Sequence, residues 1–152
     1  MLPAVVSLLP MLRPEPVCPK ATQDVALNLQ NRRKAIQVAK YGPANPRLPN
    51  ELYWRQIASE WGVSVEEAKT MRCGNCAAFD ISPEIRACIS KGLAEDGVDP
   101  ADTIVAAELG YCHAFKFKCA ASRTCSAWIV GGPIREHRTH HVDVGALTRR
   151  PR

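Results

Sequence analysis

The chain has 152 residues, 46% of them hydrophobic, a formal net charge of +5 and seven cysteines. That length supports one modest core and excludes two well-filled ones. The basic residues are scattered, with a local excess at Arg135, Arg138, Arg149, Arg150 and Arg152, so the charge permits an acidic partner without requiring one.

The first twelve residues are apolar, but their first charge is Arg13 and prolines stand at 3, 10 and 14. A secretion signal wants a basic residue before its apolar run, and a membrane span needs roughly 20 uninterrupted apolar residues. The expectation is a soluble chain made in the cytoplasm, with no membrane partner and an apolar arm that needs a surface to lie on. Eight of the 12 prolines fall in residues 1–49, where they remove amide donors and fix the backbone. This region reads as an extended arm containing one helix, about 22–40, on which Val25, Leu29, Ile36 and Ala39 recur at helical spacing.

A helix pair is expected over 50–72. Asn50 is a cap residue, Leu52, Trp54, Ile57, Ala58 and Trp61 form an apolar stripe, and Gly62 closes the first helix. Ser64 and Glu67 have the spacing of a capping box and open the second helix toward Met71. The segment 57–68 resembles a helix-turn-helix, but Glu66 and Glu67 would meet phosphates at the start of the recognition helix. Direct nucleic-acid contact therefore ranks below plain helix packing.

Further on, Ser82-Pro83-Glu84 starts a helix with Gly92 as its stop, and Asp99-Pro100 starts another that runs to Gly110. Residues 127–133 suggest a short strand, and 135–152 a basic tail. His137, His140 and His141 in that tail have no neighbouring carboxylate or cysteine and read as solvated, and His113 reads as a packing or hydrogen-bonding residue. No phosphate loop, nucleophile elbow or H-E-x-x-H occurs, and Asp99 and Asp102 sit at a helix start, so no enzyme is expected.

Cys18 is alone near the amino terminus, whereas Cys73, Cys76, Cys88, Cys112, Cys119 and Cys125 crowd one segment. In a reducing compartment such crowding favours ligation over disulfides. The Cys73-Gly-Asn-Cys76 pair turns two sulfurs toward one centre, which suits zinc or an iron-sulfur cluster. The late cysteines are too widely spaced for a zinc ribbon, which puts zinc second. Three disulfides and no metal is the remaining alternative.

Cys73-Gly-Asn-Cys76-Ala-Ala-Phe79, Gly110-Tyr-Cys112-His-Ala-Phe115 and Cys125-Ser-Ala-Trp128 together resemble the high-potential iron-sulfur proteins. The resemblance implies a [4Fe-4S] cluster held by Cys73, Cys76, Cys112 and Cys125, with Phe79, Phe115 and Trp128 as rings that keep water from it. Cys88 and Cys119 have no place in that scheme. A Cys88–Cys119 disulfide and a pair of buried thiols stand as equal readings of them. The strings around Cys73–Phe79, Arg123–Trp128 and Gly131–Ile134 also resemble small proteins of tailed bacteriophages described as high-potential iron-sulfur protein-like.

The resulting expectation is a small, cysteine-rich, mostly irregular fold, with short α-helices and few short strands around a cluster or disulfide centre over 73–134. The function expected first is a structural, capsid- or tail-associated virion protein, made in the host cytoplasm and bound to other virion proteins through its N-terminal arm. A soluble electron carrier is the second reading. A helix-turn-helix DNA-binding protein with a zinc or disulfide knob is the third.

Overall fold

The computed structural model describes residues 18–136. The apolar start of the expected arm and the histidines at 137, 140 and 141 lie outside the described residues.

Helix α1 (Lys20–Gln23) leads into α2 (Val25–Ala39), which begins where the Asp24 carboxylate accepts the Leu27 amide at 3.0 Å. The helix was expected here, but of its expected stripe only Ala39 is buried. Val25, Leu29 and Ile36 are 44%, 50% and 40% exposed, and Ala35 and Ala39 are buried. The cause is the edge of a sheet. Asn28 accepts the Lys118 amide at 2.7 Å and Asn31 donates to the Lys116 carbonyl at 2.6 Å, so small and polar residues face the strand and satisfy its outer groups. Of the stretch expected over 1–49 as an extended arm with one helix, the residues described from Cys18 onward lie against the cysteine domain. Gly42 also pairs with Thr124, and the Ser126 amide donates to Ala39.

Helix α3 (Glu51–Trp61) buries Trp54, Ile57, Ala58 and Trp61 and ends at Gly62, whose φ of 68° suits glycine. Leu52, expected in the stripe, is 82% exposed, and Asn50 occupies the cap position without a side-chain cap bond. Helix α4 (Val65–Ala68) is a single turn, with the Ser64 hydroxyl accepting the Glu67 amide. Four residues rise only about 6 Å, too little for a recognition helix lying along a groove.

A 3-10 turn (Cys73–Asn75) precedes β1 (Phe79–Asp80). Helix α5 (Pro83–Glu95) starts as expected, with proline first and the Ser82 hydroxyl accepting the Ile85 amide. Gly92 does not stop it; a Cβ there would lie 1.8 Å from the Thr22 carbonyl oxygen, so its lack of a side chain lets α1 cross α5 closely. Helix α6 (Pro100–Ala107) is capped by Asp99 and ends at Glu108. The strands β2 (Leu109–Cys112) and β3 (Phe117–Ala120) form a hairpin, and the antiparallel sheet has the order β1-β2-β3. Residues 127–133 form no strand. They run beside β1 through Ala77 N–H to Ile129 O and Ile134 N–H to Phe79 O, with a cis Gly132–Pro133 bond.

Two cores result. The larger one joins Trp54, Ile57, Trp61, Phe79, Phe117, Trp128 and Ile129 with the cysteines, and the smaller joins Ala21 with Ile85, Ile89, Leu93 and Tyr111. Cys88 lies on α5 and is bonded to Cys18 (Cα–Cα 5.4 Å). The Cys88–Cys119 pairing is therefore corrected: Cys119 is a free thiol in the larger core, while the helix bearing Cys88 turns its apolar face to the smaller one. Among the described residues there are six α-helices and a three-stranded sheet, more regular than expected, and no helix is long and apolar enough to cross a membrane.

Candidate cysteine centre

Five free cysteines, Cys73, Cys76, Cys112, Cys119 and Cys125, meet at the larger core. Three segments bring them there. The 3-10 turn presents Cys73 and Cys76, the hairpin presents Cys112 and Cys119, and the loop after β3 returns Cys125. That loop is tied to the turn by Cys73 N–H to Arg123 O at 2.7 Å and Gly74 N–H to Ala121 O at 2.9 Å. Cys119 is hydrogen-bonded to Cys112 and Cys73, and Cys76 and Cys125 each interact electrostatically with both Cys73 and Cys112.

Backbone amides mark three of the sulfurs. Cys76 receives the amides of Ala78 and Ile129, Cys112 those of Phe115 and Ala114, and Cys125 that of Ala127. In each case the amide two residues on turns back toward the sulfur, because the chain bends immediately after the cysteine. Such donors stabilise a thiolate, the form that binds metal.

Burial works in the opposite direction. It pushes Cys76 up to about 11 against its amides, and it pushes Cys125 further up, with Cys73 adding to the effect. Cys112 is held down at about 7, first by its hydrogen bond with Cys119, then by the amides of Phe115 and Ala114, which together outweigh burial. Buried thiols that repel one another's charges are what a cation in their midst would relieve.

The rings stand around this cluster. Phe79 and Trp128 are buried in the same core and Phe115 packs against it. Trp128 donates its indole N–H to Arg72 O at 2.9 Å and Asn75 Oδ1 at 3.0 Å, pinning the turn that carries Cys73 and Cys76. Gly110 lets the Phe79 ring lie against the sheet, since a Cβ there would come within 2.4 Å of it.

The four expected ligands are thus brought to one core, and three further residues join them, two of them, Tyr41 and Tyr53, missed by sequence reasoning. Cys119, whose alternative reading was a buried thiol, is one and sits among the sulfurs. Tyr41 meets Phe117 edge-on at 5.0 Å, its phenol raised by burial and then by Cys119 and Cys73. Tyr53 donates its hydroxyl to Lys40 O at 2.6 Å and is raised by burial and then by Cys125 and Cys73. A signal for Cys119 was present: Phe115-Lys-Phe117-Lys-Cys119 alternates as a strand does, placing Phe117 and Cys119 on one inward face.

His113, next to Cys112, bonds Asp80 at 2.8 Å, which bears out its reading as a hydrogen-bonding residue. Burial alone would raise Asp80, but the bonds from His113 and Ser82 outweigh it and hold the carboxyl below its usual 3.8. A carboxylate that is harder to protonate folded than unfolded stabilises the fold above its unfolded value and loses that contribution as pH falls through the lower folded one. Asp80→Asn is expected to flatten the acid side of the stability profile, measured by urea denaturation from about pH 3 to about pH 7.

The group implied by the resemblance fits these residues on one observation, the amides aimed at Cys76, Cys112 and Cys125. The Thr124 hydroxyl, beside Cys125, is fully buried and has no partner among the described residues. No group of three or more His, Cys, Asp or Glu placed to hold a single metal ion is found among the described residues. An open cleft of about 340 Å³ over Gly74, Phe79, Arg86, Glu108 and Arg135 has no cysteine in its lining and borders the centre through Gly74 and Phe79. No protein-family model, curated protein or solved structure matches the chain.

Proposed function

We propose that the chain is a structural virion protein of a tailed bacteriophage, whose knob is built on a [4Fe-4S] centre held by Cys73, Cys76, Cys112 and Cys125. The observation that carries the centre is the set of amides returning to Cys76, Cys112 and Cys125, which favours the thiolate that would ligate at those three sulfurs. When bound, the cluster supplies cross-linking of three chain segments and the capacity for one-electron redox change. Phe79, Phe115 and Trp128 would keep water from it, and the amides at Cys76, Cys112 and Cys125 favour the charged form of those sulfurs against the effect of burial.

A structural role is favoured over a soluble electron carrier by the company the centre keeps. Trp54 and Trp61 of α3 and Tyr41 after α2 share the larger core with it, so the centre holds the N-terminal helices as well as its own loops. The Cys18–Cys88 bond supports a particle, since disulfides persist in oxidising surroundings outside the cell. In this reading residues 1–17 meet the neighbouring virion proteins.

Anaerobically purified protein is expected to be brown, with iron and sulfide at about four each per chain. Colourless protein carrying zinc would overturn the cluster. Deleting residues 1–17, which spares Cys18, should abolish incorporation into particles while the purified protein keeps its iron; unaffected incorporation would remove the arm from the account.

A further inference from the structure

We propose that the open cleft over Phe79 and Arg86 is a docking site for residues 8–15 of the same chain, so that in the free protein the apolar arm lies against its own domain. The inference does not depend on a cluster in the cysteine centre. In the virion reading the docked arm is the form that precedes assembly.

Helix α6 supplies the first observation. Ile104, Val105, Ala106 and Ala107 make it apolar, yet none of its residues is buried and Val105 is 76% exposed. A short helix ordinarily gains its stability by covering an apolar face. Ile104 and Val105 line the cleft of about 340 Å³ together with Phe79, a volume at the low end of the range for ligand pockets.

The charges at the cleft select the occupant. Arg86, Glu108 and Arg135 line it, and among the described residues none of the three belongs to an ion pair. A segment that suits them is apolar and carries both signs. Residues 8–15 read Leu-Leu-Pro-Met-Leu-Arg-Pro-Glu. Leu8, Leu9, Met11 and Leu12 can cover the apolar lining, while Glu15 complements Arg86 and Arg13 complements Glu108. The segment after Arg135 suits the cleft less. Residues 137–152 hold four arginines, three histidines and Asp143 as their one acidic side chain, which would bring positive charge onto two arginines.

The bridge to Cys88 brings residues 8–15 within reach. Cys18 is bonded to Cys88 on α5 with the Cα atoms 5.4 Å apart, and Arg86 stands two residues away on the same helix. Residues two apart point to nearly opposite sides, so the chain has to round a cylinder about 10–12 Å across. The chain from Arg13 to Cys18 reaches about 17 Å when extended, which is enough. So short a tether holds the segment near its site at a high local concentration. Prolines at 10, 14 and 16 also leave less backbone freedom to lose on docking.

The test replaces Val105 with the photo-cross-linker p-benzoylphenylalanine in the full-length protein. The same replacement at Leu52, 82% exposed on α3, is the reference. After irradiation, mass spectrometry should find position 105 joined to residues 8–15 of the same chain, well above the yield from position 52. That yield should fall roughly fivefold in Glu15→Arg and in Arg86→Glu and recover when the two are combined. Cross-links from 105 to residues 8–15 of a second chain, seen as a covalent dimer, overturn docking within the chain. A yield at 105 no higher than at 52 overturns docking altogether, and yields unmoved by the charge reversals overturn the pairing that selects the cleft. Iron content enters none of these readings, so a protein without a cluster leaves the test intact.

Discussion

Cys73→Ser is expected to empty the centre and unfold the cysteine domain. The size of the effect discriminates between readings. Serine nearly matches cysteine in volume, so if Cys73 were only a buried thiol the exchange would cost about 1–3 kcal/mol, the penalty for a poorly satisfied hydroxyl. A structural metal contributes folding free energy of roughly 10–16 kcal/mol, as large as the 5–15 kcal/mol of net stability typical of a domain. Losing a ligand of such a centre removes the fold rather than trimming it. Cys73 sits in a 3-10 turn tied to the 121–123 loop by its own amide and that of Gly74, and among the described residues Cys119 is the one free thiol outside the expected ligand set that stands in the same core. Iron content, near-ultraviolet circular dichroism and thermal unfolding should all fall together. A folded, iron-loaded Cys73→Ser protein would remove Cys73 from the ligand set.

Helix starts were legible because their signals are local. Ser82 before Pro83 and Asp99 before Pro100 satisfy the first amides of α5 and α6 with their own side chains, and no distant residue enters that arithmetic. Ends and faces were harder. Gly92 reads as a stop by composition, but its lack of a side chain serves the crossing of Thr22 above it, a demand made by a residue seventy positions away. The α2 stripe failed at Val25, Leu29 and Ile36 for a related reason. Apolar spacing assumes that a helix packs on apolar side chains, whereas this one covers the edge of β3 and needs Asn28 and Asn31 there.

The meeting of the cysteines was legible to the extent that they are followed by turns. Cys73-Gly-Asn-Cys76-Ala-Ala-Phe79, Cys112-His-Ala-Phe115 and Cys125-Ser-Ala-Trp128 each hold the bend and the ring within a few residues, so the sulfurs and the rings beside them are readable from adjacent letters. Cys119 lacks such a local signature, and only the strand register reveals that it faces the other sulfurs. The partner of Cys88 was beyond reach of spacing, because pairing depends on which helix faces which. Spacing offered Cys119 as the partner and left Cys18 alone, whereas the fold brings Cys18 to Cys88.

Cys88→Ser is expected to destabilise the protein without emptying the centre. The Cys18–Cys88 bond spans a sequence separation of 70 residues, and in the chain-entropy account closing a loop of that length is worth about 4 kcal/mol. For a domain of this size that corresponds to a fall in Tm of roughly 10 °C. Cys18→Ser should produce the same fall, and the double variant no more than either alone, since one bond is lost in all three. Mild reductant should lower wild-type protein to the variants' Tm and leave the variants unmoved. Iron should be retained throughout, because Cys88 lies on α5, whose apolar face packs in the smaller core, while the ligands meet in the larger. The opposite pattern is as informative. If Cys119→Ser reproduced the fall and Cys18→Ser did not, Cys88 would be paired across the two cores in solution. Cys119 would then be no free thiol of the larger core, so the pairing of one cysteine decides the state of another.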